Sequence, residues 1–104
     1  MERRRSPRFR TRFDALISAD KEGAGTLAEI SYAGARLDES SVQPPIGTRV
    51  RLYLFVQPIA PFELEGVVTR HTDGGFALTY ELFDPEVRRL VDDVAALVTE
   101  RARA

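Results

Sequence analysis

Thr26-Leu27-Ala28-Glu29-Ile30-Ser31-Tyr32-Ala33-Gly34-Ala35-Arg36-Leu37 reads as a strand, a break and a second strand. Leu27 and Ile30 supply apolar positions, Glu29 a carboxylate and Ser31 a small hydroxyl; Gly34 then interrupts the run before Ala35-Arg36-Leu37. A glycine inside a strand-like run marks a bulge, a tight turn or the close approach of another group. An acceptor, a hydroxyl and a glycine in that order make a short polar ledge, suited to the edge of a planar ligand. The other candidate half of a site lies at the N-terminus, where Arg3, Arg4, Arg5, Arg8, Arg10 and Arg12 fall within twelve residues. The reading is that these two pieces meet over one ligand.

On either side of that stretch the alternation has period two. Upstream, Phe13, Ala15, Ile17 and Ala19 share one face of a strand, and the polar, glycine-rich Asp20–Gly25 predicts a hairpin turn. Downstream, residues 38–47 read as a loop around Pro44 and Pro45. Thr48 to Val56 is the clearest strand, with Val50, Leu52, Leu54 and Val56 opposite Arg49, Arg51, Tyr53 and Phe55. Tyr53 and Phe55 then belong to a second core layer or to a protein contact. Residues 57–61 form a turn, and Phe62 to His71 is a further strand. Asp73-Gly74-Gly75 is a hairpin turn whose dipeptide suits positive φ, and Gly75 to Leu82 closes the set with Phe76, Leu78, Tyr80 and Leu82 on one face.

The period then changes. Val87, Leu90, Val91, Val94, Leu97 and Val98 recur at three and four, behind an N-cap at Asp84 and a first-turn Pro85. The pattern predicts a mainly β fold, a small six-stranded antiparallel barrel (split and Greek-key-like), capped by a helix at about 85–101. Residues 1–12 read as a flexible basic arm and 13–104 as the barrel domain.

Composition limits the function. The chain has 104 residues, 43% hydrophobic and 30% charged, a single-domain length with an ordinary globular balance. Without cysteine it has neither disulfides nor thiolate metal sites. No run approaches the roughly 18 apolar residues of a membrane span, and the arginine-rich start does not read as a secretory signal. The expectation is a soluble cytoplasmic domain. The net charge of −1 hides an asymmetry: residues 1–12 carry +5 and the remainder −6. All the cations of the arm are arginine, which forks onto phosphate or guanine and stacks on rings, whereas lysine acts as a point charge.

Two motifs in order resemble the PilZ domain family, bacterial receptors for the second messenger cyclic di-GMP. The family's Arg-x-x-x-Arg arm is matched by Arg4-Arg5-Ser6-Pro7-Arg8, and its Asp/Asn-x-Ser-x-x-Gly motif by Glu29-Ile30-Ser31-Tyr32-Ala33-Gly34. The resemblance extends through Gly75-Phe76-Ala77-Leu78 and the terminal helix. It implies that Arg4 and Arg8 clamp guanine and phosphate, that Glu29 and Ser31 read a guanine edge, and that Gly34 lets the backbone turn. Arg5 and Arg36 are auxiliary contacts. Glu29 departs from the family pattern by one methylene: the acceptor chemistry is kept, but the reach differs.

The resemblance further implies that ligand orders the arm and changes the surface shown to a downstream protein partner, with no cofactor beyond the ligand. Two alternatives stand beside it: a degenerate adaptor that binds no nucleotide, and a nucleic-acid binder using the basic arm, against which the acidic body argues. No catalytic spacing is present, and the lone His71 lacks the partners of a metal site.

Overall fold

The period-two pattern of Val50, Leu52 and Leu54 becomes one wall of a barrel, all three side chains fully buried. The computed structural model describes residues 8–55, 61–80 and 85–103, the last stretch by its backbone alone beyond Val98. Six strands precede one helix: β1 (Phe9–Ser18), β2 (Glu22–Ile30), β3 (Gly34–Asp38), β4 (Arg49–Leu54), β5 (Phe62–Thr72), β6 (Gly75–Thr79) and α1 (Pro85–Arg103). All ladders are antiparallel, and the order β1-β2-β3-β6-β5-β4 closes on itself. The chain leaves the meander after β3 and returns on the far side of β1. This connection makes the topology Greek-key-like, and closure gives each of the six strands two neighbours.

β1 begins at Phe9, four residues before the expected strand start, so Phe9–Arg12 belong to the barrel and not to an arm. The reason is pairing: Phe9 lies opposite Ile30 and Arg10 opposite Glu29. β2 likewise starts at Glu22, inside the expected turn, because Gly23 and Gly25 pair with Ile17 and Ala15. At the β5–β6 hairpin only Gly74 takes a positive φ, of 80°. Val56, the turn at 57–60, Leu82 and the Asp84 cap lie outside the described residues.

Leu27 and Ile30 are both fully buried although three residues apart, a spacing that a regular strand sends to opposite faces. A bulge resolves this: Leu27 pairs with Leu37 and Glu29 with Arg36, leaving Ala28 as the extra residue. A second bulge leaves Thr69 unmatched, since Val68 pairs with Leu78 and Arg70 with Ala77. Bulges re-aim the following side chains, and these two turn Glu29 and Arg70 outward on the same wall.

The helix completes the core. Leu90, Val91 and Val94 are fully buried and join Phe13, Ile17, Leu52 and Phe76 in one cluster, while α1 lies against β1. Burial of each such aliphatic side chain is worth about 1.5–3 kcal/mol. Tyr53 and Phe55 are 37% and 47% exposed, so they form no second core layer. They lie on the outside with Leu16, which is paired directly with Tyr53.

Tyr80 follows β6 and donates from its phenol to the Gly34 carbonyl at 3.1 Å, tying the end of β6 to the start of β3. Burial pushes its pKa up.

Two outcomes test this packing by urea denaturation. Leu90→Ala should cost about 2–5 kcal/mol, whereas the exposed Arg89→Ala should stay within about 0.5 kcal/mol. Tyr80→Phe should cost about 0.5–1.5 kcal/mol at neutral pH. The folded state favours the neutral phenol, so this contribution is complete below about pH 10 and is lost as pH rises further. Stability of the Phe variant should therefore fall less steeply in alkali than that of the parent chain.

Candidate functional site

The corner between β2 and β3 is a tight turn closed by its own serine. Ser31 N–H donates to the Gly34 carbonyl at 2.9 Å. The Ser31 hydroxyl accepts from Ala33 N–H at 3.1 Å and from Gly34 N–H at 3.2 Å, and reaches the Gly34 carbonyl at 3.4 Å. Serine hydroxyls commonly stabilise turns in this way. The bonds Ser31 makes are therefore those of a turn hydroxyl, while the residue also lines the cavity described below.

Gly34 is required by close approach and not by a turn conformation. A Cβ there would stand 2.2 Å from the Leu78 carbonyl oxygen. β3 and β6 pair from Gly34–Thr79 onward, and no side chain fits in that gap. Of the readings open for this glycine (a bulge, a tight turn or a close approach), the close approach is the one that demands the missing side chain.

Glu29 stands next to this corner and is largely covered, its side chain 18% exposed. Its carboxylate accepts from the Arg8 guanidinium at 3.2 Å and lies 3.6 Å from that of Arg36. Arg36 also meets Asp38 at 3.4 Å. The register explains the assembly. Arg10, Glu29, Arg36, Ala77 and Arg70 are successive partners across β1, β2, β3, β6 and β5, forming one outward-facing row. Charge alternates along the row up to Ala77, whose methyl leaves a hollow between Arg36 and Arg70.

The hollow is a cavity of about 350 Å³, within the roughly 300–1,000 Å³ range of ligand pockets. Five of the residues expected to form the site line it: Arg8, Glu29, Ser31, Gly34 and Arg36. Arg4 and Arg5 lie outside the described residues. Sequence reasoning missed Thr69, Arg70 and Ala77, which complete the wall from β5 and β6. Their signal is not in local pattern; it lies in the Thr69 bulge and in the pairing across β6. A second cavity of about 280 Å³, lined by Arg10, Arg12 and Asp38, shares Glu29 and Arg36 with the first. Two concave surfaces therefore meet at one ion pair.

The turn also touches the helix. Tyr32, between Ser31 and Gly34, donates from its phenol to the Asp92 carboxylate, and the Arg88 guanidinium lies 5.1 Å from its ring centroid. The hydrogen bond to Asp92 holds the Tyr32 pKa above its ordinary value, with burial acting in the same sense and Arg88 opposing. Hence the corner beside the cavity is fastened to α1 on its other side.

His71 takes no part: its Nε2–H donates to the Pro44 carbonyl at 2.7 Å. Among the described residues no group of histidine or carboxylate side chains is arranged to hold a metal ion, and no helix is long and apolar enough to cross a membrane.

The structure of Bacillus subtilis Inhibitor of motility (MotI/DgrA) superposes with a TM-score of 0.72 at 18% sequence identity, over 98% of this chain and 52% of that one. The chain thus shares the fold of about half of that protein. No curated protein matches in sequence. The PilZ domain model matches residues 2–96. That span takes in both the arginine motif and the Glu29–Gly34 corner, and PilZ domains are receptor and adaptor modules related to cyclic di-GMP, not enzymes. By sequence and by fold, the chain is a member of the PilZ domain family.

Proposed function

We propose that this PilZ domain is a receptor for cyclic di-GMP that passes the signal to a partner protein. The observation that carries the reading is the convergence of residues far apart in sequence: Arg8 and the Glu29–Arg36 corner line one cavity, with Arg8 already on the Glu29 carboxylate.

Magnitudes favour exchange at that contact. A partly exposed ion pair such as Arg8–Glu29 is worth about 0–1 kcal/mol. Charge-assisted hydrogen bonds from a guanidinium to phosphate, or a fork onto guanine O6 and N7, are worth roughly 1.5–3 kcal/mol each. An incoming dinucleotide therefore draws the guanidinium of Arg8 away from Glu29. The freed carboxylate accepts from guanine N1–H and N2–H₂. Ser31 and Gly34 keep the corner rigid, Arg36 stays as an auxiliary cation, and Arg4 and Arg5 close from the segment preceding β1. The ordering of that segment on the ligand is the output, and a downstream protein reads it. Ordering costs about 1–2 kcal/mol per backbone residue, which several such contacts offset.

A second reading has one observation in its favour. Glu29 is a methylene longer than the usual aspartate or asparagine and lies within reach of two guanidinium groups at once. A corner that neutralises itself in this way suits an adaptor that binds no nucleotide.

Isothermal titration with cyclic di-GMP separates the two. The receptor reading predicts saturable binding, lowered about 10- to 100-fold by Arg8→Ala or Arg4→Ala. A parent chain that gives no heat up to high-micromolar ligand refutes it. Gain of binding by Glu29→Asp in that silent background would establish the adaptor reading.

A further inference from the structure

We propose that Arg70 is a further ligand-binding residue of this cavity, the group on which a phosphate of the dinucleotide seats first; this rests on the receptor reading above. The Thr69 bulge interrupts the regular pairing of β5 with β6, which resumes with Arg70 turned out opposite Ala77. Ala77 is likewise the partner of Arg36, so two arginines flank one methyl group across three adjacent strands. The methyl leaves the space between them open, and both arginines line the hollow.

What distinguishes Arg70 is its availability. Arg8 is engaged by Glu29, and Arg36 by Glu29 and Asp38. Among the described residues, no carboxylate or hydrogen-bond acceptor engages the Arg70 side chain, which is exposed on the cavity wall. Charge points the same way. The charged lining consists of Arg8, Arg36 and Arg70 against Glu29, three cations and one anion, a net +2. The two phosphates of a cyclic dinucleotide carry the matching charge. Removal of Arg70 leaves +1, carried by guanidinium groups that are already paired. A guanidinium presents two parallel N–H donors to a phosphate, which an ammonium does not.

Titration of the full chain with cyclic di-GMP tests this, using Arg70→Ala, Arg70→Lys and, as a control for overall charge, the helix-surface Arg89→Ala. The expected result is a loss of about 10- to 100-fold for Arg70→Ala, a partial loss for Arg70→Lys, and affinity within about twofold of the parent for Arg89→Ala. Circular dichroism should show all three folded, since both arginines are exposed. Parent-like affinity in Arg70→Ala overturns the assignment while leaving the receptor reading intact. An equal loss in Arg89→Ala overturns it in favour of net charge alone. A parent chain that takes up no dinucleotide removes the receptor reading and, with it, the role of Arg70.

Discussion

The carbonyl oxygen of Gly34 gathers three donors: the Ser31 amide at 2.9 Å, the Ser31 hydroxyl at 3.4 Å and the Tyr80 phenol at 3.1 Å. Everything near the cavity depends on this junction. It shuts the β2–β3 corner, joins that corner to the end of β6, and allows β3 to approach β6 so closely that only glycine fits at position 34. Once β3 is seated, Arg36 must lie beside Ala77, and Glu29 beside Arg36. A few hydrogen bonds in a part-buried turn thus set the positions of charged groups that would otherwise be free to wander over an exposed wall.

On that frame the electrostatics are deliberately incomplete. Glu29 is shared between two guanidinium groups, Asp38 takes part of Arg36, and Arg70 is left over. The surface elsewhere is balanced differently: on β4 and β5, Arg51 pairs with both Glu63 and Glu65 at 2.8 and 2.9 Å, and Glu65 also receives Arg49. Those pairs use up their charge, whereas the row through Ala77 keeps an excess. This contrast, more than the number of arginines, sets one wall of the barrel apart as its cationic wall.

Much of the architecture was legible because burial and alternation coincide. Val50, Leu52 and Leu54 report their wall directly, and the three-four spacing of Leu90, Val91 and Val94 reports the helix. What the pattern hides are the bulges. Leu27 and Ile30 share a face only because Ala28 is extra, and nothing local announces that. Phe9–Arg12 look like an arm because their arginines dominate, yet in a strand those side chains simply point outward from the paired backbone of β1. Arg70 is invisible for a related reason, since its place on the cavity wall comes from the Thr69 bulge and from the small residue opposite. Tyr32 reads as a turn residue until the fold brings Arg88 and Asp92 of the helix to it.

The barrel separates two surfaces. The β3–β6 ladder holds the cavity; the β1–β4 ladder, half a circuit away in the closed order, carries exposed Leu16 and Tyr53. The central claim is that a guanine dinucleotide settles on the first of these walls. An amide-resolved NMR titration with cyclic di-GMP tests it most directly. The account predicts that the signals of Ser31, Gly34, Arg36 and Ala77 shift while those of Leu16, Tyr53 and Ser18 stay in place. Unmoved signals at the Ser31–Gly34 corner, or shifts confined to the β1–β4 wall, would contradict it.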